Sequence, residues 1–464
     1  MSRPSRQEFD SRVSRALADP AMQRIIAGEQ DDIQAQLDLA REGIDWQALR
    51  RQVEEIRSHT VAHLDQYLDQ FATNVEKHGG TVCFAATAEE ACQYVLRLAT
   101  QKDATSVVKA KSMLTEEIGL NEVLEAAGVK VVETDLGQFI VQLAHERPFH
   151  ILAPAIHKSL EQIRDLLSAD SGEELPADAN ALTGFVSRRL REEFFSAAIG
   201  VSGCNFGVAA TGSVVLVTNE GNGRLTTTVP KTHVVVMGMD RLVPDFESLA
   251  PILNLLSWLG GGTRMTSYVT AISGPRRPAD EDGPDELHVV IVDNGRSAIL
   301  GSKYQKILNC IHCGACLDVC PVYRKIGGHA YGAVYSGPLG AVLAPLLEGL
   351  EQYPELPFAS SLCGACTEVC PARIPLADYL LELRGDVVAA GLEPPAWRFG
   401  MRLFSRLTSH PRLWGAAESL GRLGRWAPGL LGPWTQSRDL PVVPRHNFRA
   451  RWRRGERAPE PEGG

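Results

Sequence analysis

The chain has 464 residues, a formal net charge of −9 and a hydrophobic content of 44%. This length predicts about three domains, and the composition excludes wholesale disorder because it provides enough apolar surface for packed cores. The net acidity argues against a general nucleic-acid-binding protein, since neutralising phosphates requires a basic face.

The N-terminal region is predicted to be helical. Its first ten residues lack the apolar run of a secretory signal peptide, so we expect a cytoplasmic protein whose thiols stay reduced. Apolar residues recur at spacings of three and four in segments 30–39 and 46–71. We therefore interpret residues 1–72 as a helical lead.

Residues 73–300 alternate β-branched runs with helical patterns, which predicts an α/β domain with a largely parallel sheet. The predicted strands are 105–108, 130–133, 149–153, 213–218, 233–237 and 288–292, and the predicted helices include 88–100, 115–127 and 158–168. The uncharged stretch 194–219 is long enough to span a bilayer. Its glycines and hydroxyl side chains instead favour a buried loop and strand.

Three segments of this domain resemble ligand sites. Residues 109–112 follow a predicted strand, 219–224 contain an Asn-Gly turn, and the glycine-rich segment 259–264 could bind an anion through backbone amides. None of them matches a phosphate loop or a dinucleotide-binding fingerprint. Loop geometry and helix capping are the alternative explanation for each segment.

Seven of the ten cysteines fall in two segments that form an internal repeat, in which CGACLDVCP (313–321) aligns with CGACTEVCP (363–371). The seven are Cys310, Cys313, Cys316, Cys320, Cys363, Cys366 and Cys370. The first segment has the C-x2-C-x2-C-x3-C-P spacing of 4Fe–4S proteins. Paired CxxC motifs also bind zinc, but zinc does not require this spacing. We therefore interpret the motifs as iron–sulfur ligands.

In such motifs three cysteines hold one cluster and the fourth, beside proline, ligates the other cluster. This rule predicts that cluster 1 is held by Cys310, Cys313, Cys316 and Cys370, and cluster 2 by Cys320, Cys363 and Cys366. The position equivalent to Cys310 is Ser360, so cluster 2 lacks an evident fourth cysteine. It is either a 3Fe–4S centre or a 4Fe–4S centre whose remaining iron is held by Ser360, water, substrate or a partner residue.

Residues 301–390 are predicted to form an α-helical, ferredoxin-like, two-cluster domain. Small two-cluster ferredoxins use short hairpins, whereas here a glycine-rich loop and an apolar helix at 341–350 separate the two motifs. His312 and His329 lie in this region. Each could tune a cluster through hydrogen bonds or have no role.

Residues 391–464 form a C-terminal region rich in arginine and tryptophan. From residue 397 onward, thirteen arginines and five acidic residues give +8, which leaves −17 for the rest of the chain. This composition is typical of a partner-docking surface, because arginine and tryptophan are enriched at binding hot spots. A solvated basic tail and peripheral contact with anionic lipid are the alternatives.

The order of these motifs resembles the lactate utilization protein B family. The resemblance rests on ATGSVVLVTNEGNGR, HVVIVDNGRS and SLCGACTEVCPARIP together with the first cysteine motif, and it covers nearly the whole chain. It implies an α/β LUD domain, similar to CoA-transferase and sugar-phosphate isomerase domains, followed by the two-cluster domain and a helical or irregular C-terminal region. It also implies that the seven cysteines are cluster ligands.

The resemblance further implies electron transfer in the oxidation of L-lactate to pyruvate, with a second iron–sulfur subunit and another LUD protein as partners. We expect the chain to carry electrons without itself abstracting the lactate hydride, because no nucleophile–base motif suggests another chemistry. One alternative is an LUD enzyme acting on an acid or CoA ester through Glu220. Another is an electron-transfer subunit of a different oxidoreductase complex.

Overall fold

The computed structural model describes residues 6–262, 266, 268–424 and 448–455, and the chain divides into two compact units, 1–390 and 391–464. The first unit begins with helices α1 (Arg6–Leu17), α2 (Pro20–Arg41), α3 (Trp46–Ala62) and α4 (Leu64–Lys77). The predicted helix 46–71 is thus two helices that meet at His63.

A six-stranded parallel sheet forms the centre of the α/β region. Its strands are β1 (Thr81–Ala85), β2 (Ser106–Lys109), β3 (Lys130–Glu133), β4 (Ile199–Ser202), β7 (Thr232–Gly238) and β10 (Glu286–Val292), in the order β1-β10-β7-β4-β2-β3. Val234 and Val235 face different hydrophobic clusters on the two sides of the sheet. Burial on both faces explains why β7 and β10 read as almost continuous apolar runs.

Helices cover this sheet, and a second, smaller sheet lies beside it. The helices are α5 (Ala88–Gln101), α6 (Met113–Glu117), α7 (Leu120–Ala126), α8 (Leu136–Leu143), α9 (Leu160–Ser171), α10 (Ala179–Ser196), α11 (Asn222–Thr228) and α12 (Phe246–Gly261). The second sheet contains β5 (Phe206–Val208), β6 (Ser213–Thr218), β8 (Leu242–Val243) and β9 (Tyr268–Ile272), in the order β8-β5-β6-β9. The prediction of a mixed α/β domain with a largely parallel sheet is confirmed.

The uncharged stretch 194–219 contains the end of α10 and strands β4 to β6, as the prediction of a buried loop and strand requires. Gly212 turns between β5 and β6 with φ +65°, and a Cβ there would lie 2.5 Å from the amide nitrogen of Val75. Within the described residues no helix is long and apolar enough to cross a membrane.

The strand prediction for residues 149–153 is wrong, because this segment is an irregular loop. The His150 ring accepts the backbone N–H groups of Leu152 and Ala153, both at 3.3 Å. The Phe149 amide donates to the Pro154 carbonyl at 2.9 Å. These local bonds replace the pairing that a strand would need. The predicted helix 115–127 is also broken, at Gly119, which has φ +67°.

After β10, the described part of the first unit continues as short helices. These are α13 (Ala315–Asp318), α14 (Tyr323–Ile326), α15 (Gly337–Glu348), α16 (Ala365–Val369) and α17 (Leu376–Ala389). One hydrophobic cluster contains Leu37 and Val53 from the N-terminal helices, Leu255 from α12, and Leu317 and Tyr331 from the cysteine region. The cysteine region therefore shares a core with the helices that open the chain, and the expected helical character is confirmed.

The second unit contains α18 (Pro395–Ser409), α19 (Pro411–Gly424) and α20 (Phe448–Arg453). None of the α18 residues is buried, and Trp397, Phe399 and Phe404 each expose more than half of their surface. The Phe404 and Trp414 rings lie 6.3 Å apart. Six of the tail arginines and tryptophans lie outside the described residues: Arg425, Trp426, Trp434, Arg438, Arg445 and Arg457.

Candidate iron–sulfur centre

Cysteines from both motifs line one cavity. Cys310 follows a short 3-10 helix (Gln305–Asn309), and left-handed backbone at His312 and Gly314 turns the chain into α13. The cavity is lined by Cys310, Cys313, Cys316 and Cys370, together with His312 and apolar residues. Three cysteines of the first motif and the proline-linked cysteine of the second therefore lie together.

The sequence repeat is also a structural repeat. Leu362 has φ +55° and Gly364 has φ +86°, close to the values of +54° and +79° at His312 and Gly314. The two proline-linked cysteines also match, because each sulfur accepts a backbone N–H. The Tyr323 amide donates to Cys320 Sγ, and the Ile374 amide donates to Cys370 Sγ, each at 3.4 Å.

The remaining three cysteines, Cys320, Cys363 and Cys366, interact electrostatically with one another. Burial raises the pKa of Cys366 to about 11, with further contributions from Cys320 and Cys363. Cys363 is exposed, and backbone and hydroxyl hydrogen bonds from Ala365 and Ser361 lower its pKa. Cys366 also interacts with Cys316 of the four-cysteine cavity, so the two sets of cysteines are neighbours.

The electrostatics of the four-cysteine cavity fit a cationic iron–sulfur core. Burial raises the pKa of Cys313 well above its usual value, and the neighbouring Cys310 and Cys370 add to the effect. Buried thiolates that line the same cavity repel one another unless positive charge lies between them. An iron–sulfur core bound by the thiolates would supply that charge.

Three buried or part-buried arginines hold the backbone around this cavity. Arg50 Nε donates to the Cys370 carbonyl at 2.8 Å, and Arg241 Nη1 donates to the Cys310 carbonyl at 3.0 Å. Arg57 is fully buried and donates to Leu308 and Asn309, just before the first motif, at 2.8 and 3.3 Å. Sequence reasoning missed these arginines. The available signal was the seven-residue spacing of Arg50 and Arg57, which places both on the Val53 face of α3.

A buried polar chain extends from the first motif into the α/β region. Arg241 Nη2 donates to His312 Nε2 at 2.5 Å, which requires that nitrogen to be unprotonated. Asp240 pairs with Arg296 at 3.0 Å, and Arg296 pairs with Glu117 at 2.7 Å. Burial, reinforced by Arg241, lowers the pKa of His312 well below its usual range. The chain of contacts starts at the neutral His312 in the cysteine loop and passes through Arg241, Asp240 and Arg296. It ends at Glu117 in α6.

His329 lies in a different group. Its Nε2 donates to the Arg147 carbonyl at 2.8 Å, and its ring centroid lies 4.9 Å from that of His157. Glu146, His157 and His329 place possible metal-binding atoms within 4.8 Å of one another. Glu146 already binds His157 Nε2 at 2.8 Å and the Lys158 ammonium group, whereas the buried His157 Nδ1 has no hydrogen-bond partner within the described residues.

The α/β segments noted in the sequence differ in accessibility. Lys109 is fully buried between Glu133 and Glu116, at 2.7 and 3.0 Å, so its charge is neutralised internally. Lys111 donates to the Leu152 carbonyl at 2.6 Å, and burial lowers its pKa to about 8. Burial, followed by the nearby Asp135, raises the pKa of Glu220.

The predicted anion site at residues 259–264 is wrong for its first four residues. Leu259 to Gly261 form the last turn of α12, and the Gly262 amide donates to the Trp258 carbonyl at 2.9 Å. A helix C-terminus presents free carbonyl groups, which repel anions. Thr263 and Arg264 lie outside the described residues.

Comparison with known families agrees with this arrangement. Residues 68–292 match the LUD domain, 306–374 match the 4Fe-4S dicluster domain, and 389–457 match the family described as Lactate utilisation protein B, C-terminal. The fold and the paired cysteine motifs therefore define an iron–sulfur protein in which an LUD domain precedes a 4Fe–4S dicluster domain.

Similar proteins cover nearly the full length. Lactate utilization protein B of Bacillus licheniformis is 48% identical over 96% of both chains. The protein of that name from Bacillus subtilis is 46% identical over 95% of both, and the Escherichia coli protein named uncharacterized electron transport protein YkgF is 44% identical over 99% of both. The chain belongs to the lactate utilization protein B family, as the sequence resemblance indicated.

A solved structure, a DUF162 family protein from Deinococcus radiodurans, aligns with 49% of this chain and 98% of its own, at 14% identity and a TM-score of 0.28.

Proposed function

We propose that this chain is the iron–sulfur electron-transfer subunit of a multi-component system that oxidises L-lactate to pyruvate. The observation that carries the proposal is the cavity lined by four cysteines from both motifs. Membership of a family whose curated members are named for lactate utilization supports the substrate. A second iron–sulfur subunit and another LUD protein are the partners that we propose.

We propose that Cys310, Cys313, Cys316 and Cys370 hold cluster 1 and that Cys320, Cys363 and Cys366 hold cluster 2. When bound, clusters of this kind accept and release single electrons. The chain's own residues hold the thiolates in place and exclude water, since Cys313, Cys320 and Cys370 are each only 7% exposed. Exposed Cys363 gives the second ligand set an edge that a partner can approach.

We also propose that domain boundaries lie after residues 72, 300 and 390. Residues 1–72 would support the core, 73–300 would form the LUD domain and 301–390 the two-cluster domain. The basic region 391–464 would dock the partners.

Replacing one cluster ligand tests the proposal. We expect Cys313→Ser to lose iron and visible absorbance on anaerobic purification, and to abolish growth on L-lactate in a strain with no other L-lactate dehydrogenase. Cys92→Ser is the matched control, because Cys92 is buried within the α/β core and its sulfur donates to the Ile118 carbonyl. Colourless wild-type protein with stoichiometric zinc, or unimpaired growth after deletion, would contradict the proposal.

A second candidate function is an LUD enzyme that acts on an acid or CoA ester. It is favoured by the grouping of Lys111, Asp135 and Glu220. Lys111 and Asp135 follow the carboxyl ends of the parallel strands β2 and β3, where such sheets bind ligands, and Glu220 follows β6 of the second sheet. Glu220→Gln should then abolish turnover of an acyl-CoA, whereas Glu192→Gln, at an exposed position, should not. Full lactate oxidation by Glu220→Gln would remove this candidate.

A further inference from the structure

Ser360 occupies the position of Cys310 in the structural repeat. It lies three residues before Cys363, as Cys310 lies three before Cys313. A short 3-10 helix ends at Asn309, directly before Cys310, and another ends at Phe358, two residues before Ser360. The next residues repeat the same backbone, with left-handed φ values at His312 and Leu362, and then at Gly314 and Gly364. Left-handed backbone is rare for histidine and leucine. Its recurrence shows that the two turns are built alike.

The atoms of Ser360 also make the contacts that Cys310 makes. Cys310 Sγ accepts the His312 N–H at 3.4 Å, and Ser360 Oγ accepts the Leu362 N–H at 3.1 Å. Both backbone carbonyls accept from an arginine, Cys310 from Arg241 at 3.0 Å and Ser360 from Arg384 at 2.8 Å. The hydroxyl oxygen is therefore held within its turn as the Cys310 sulfur is held within its own.

We propose that Ser360 Oγ is the fourth ligand of cluster 2 and completes a 4Fe–4S centre with Cys320, Cys363 and Cys366. This inference rests on the proposed cluster assignment. The hydroxyl group would lose its proton on binding iron, since metal ligands bind deprotonated and a bound cation strongly favours that form. Ser360 is only part-buried, so the proton has access to solvent.

The hydrogen bond from Leu362 to Ser360 also occurs in ordinary serine turns, and the experiment must separate the two roles. The full chain would be purified anaerobically as wild type, Ser360→Ala, Ser360→Cys and Ser187→Ala. Ser187 is the matched control, because it is an exposed serine on α10, outside both cysteine motifs. Iron and sulfide content, Mössbauer spectra and EPR would be measured on each protein.

We expect wild type to contain two 4Fe–4S clusters, one of which has a spectroscopically distinct iron. Ser360→Ala should lose one iron per chain and show the EPR signal of an oxidised 3Fe–4S centre. Ser360→Cys should keep the full iron content and lose the distinct Mössbauer component, because all four irons then have sulfur ligands. Ser187→Ala should match wild type.

Several results would overturn the proposal. They are a 3Fe–4S centre in wild type, full retention of the fourth iron in Ser360→Ala, or an equal loss of iron in Ser187→Ala. If Ser360→Ala does not fold, the wild-type spectrum still decides, because irons with exclusively sulfur ligands in cluster 2 would exclude a serine ligand. Wild-type protein without iron would overturn the proposed function as well, which distinguishes that failure from failure of this inference alone.

Discussion

Arg57 is fully buried, and its guanidinium donates only to backbone carbonyls, those of Asp240, Leu242, Leu308 and Asn309. Burial lowers its pKa to about 10, so the side chain stays protonated at neutral pH. One side chain thus joins the loop around β8 to the segment before the first cysteine motif. Its charge is matched to carbonyl dipoles and to the nearby Asp240 carboxylate.

We predict that Arg57→Met lowers the free energy of unfolding by about 3 kcal/mol or more, because each carbonyl that loses its donor costs roughly 1 kcal/mol or more. Urea denaturation of the anaerobic holoprotein measures this. Arg324→Met is the control, because Arg324 forms an exposed pair with Asp31 at 2.7 Å and should leave the urea midpoint almost unchanged. Equal midpoints for both variants would contradict the structural role of Arg57.

Arg241 should affect the redox potential of cluster 1. It donates to the Cys310 carbonyl and to His312, so its positive charge lies beside the first ligand set. We predict that Arg241→Met lowers the potential by about 60 mV, a tenfold change in the one-electron equilibrium. Arg241→Lys should shift it less, because the charge remains. A redox titration followed by EPR would contradict this if the Met variant had an unchanged or higher potential.

At the scale of elements, the strands that sequence patterns predicted are those with dense β-branched runs, such as β3 and β7. Strands β4 and β5 escaped prediction because their sequences, IGVS and FGV, are short and contain glycine. The loop at 149–153 has an apolar pattern because Phe149 and Ile151 pack into the core that contains the cysteine region. The apolar pattern of this loop indicates that its side chains are buried, but it does not indicate whether the backbone pairs with a neighbouring strand.

The cysteine sites were more predictable than the sheet, since ligand spacing is a local property of the chain. The residues around them were not, because Arg50 lies 320 residues from Cys370 and Arg57 lies 252 residues from Asn309. Contacts at such separations leave no local periodicity in a single sequence. Ser360 is only partly predictable from the sequence. The repeat marks its position, but only the structure shows that its contacts match those of Cys310.

The loop between α8 and α9 should make the fold sensitive to acid. Burial lowers the pKa of His157 from 6.5 to about 4. Between these values the unfolded chain binds more protons than the folded chain, so the contribution of His157 is complete above pH 6.5 and declines as the pH falls towards 4. We predict that His157→Gln flattens the dependence of unfolding free energy on pH in this window.

Chemical denaturation at a series of pH values would measure this slope. His78→Gln, at an exposed position, is the control and should keep the wild-type slope. A slope that is unchanged by His157→Gln would show that other groups cause the acid sensitivity.

At the scale of the whole molecule, charge and cysteines are distributed differently between the two units. Residues from 397 onward carry +8 against −17 for the rest of the chain, while all ten cysteines lie within residues 1–390. Exposed aromatic side chains on α18 accompany the arginines. The second unit therefore has the composition of a docking surface, and the first unit contains every proposed cluster ligand.

We predict that a chain truncated after Ala390 keeps the iron content and visible spectrum of the full chain, because the first unit is compact by itself. Its association with the proposed partners should be lost, as measured by co-purification at low ionic strength. Retained association would place the docking surface in the first unit. Loss of iron would show that the second unit supports the clusters.

The core that the N-terminal helices share with the cysteine region limits how this protein can be divided in evolution. Gln30 in α2 donates to the Leu317 carbonyl at 2.8 Å, and Arg50 in α3 donates to the Cys370 carbonyl. A recombination event that moved only residues 301–390 into another gene would leave these carbonyls and a large apolar face without their partners. Because segment 301–390 shares its core with the first helices, we expect it to fold only together with them, and we expect working descendants to inherit both parts.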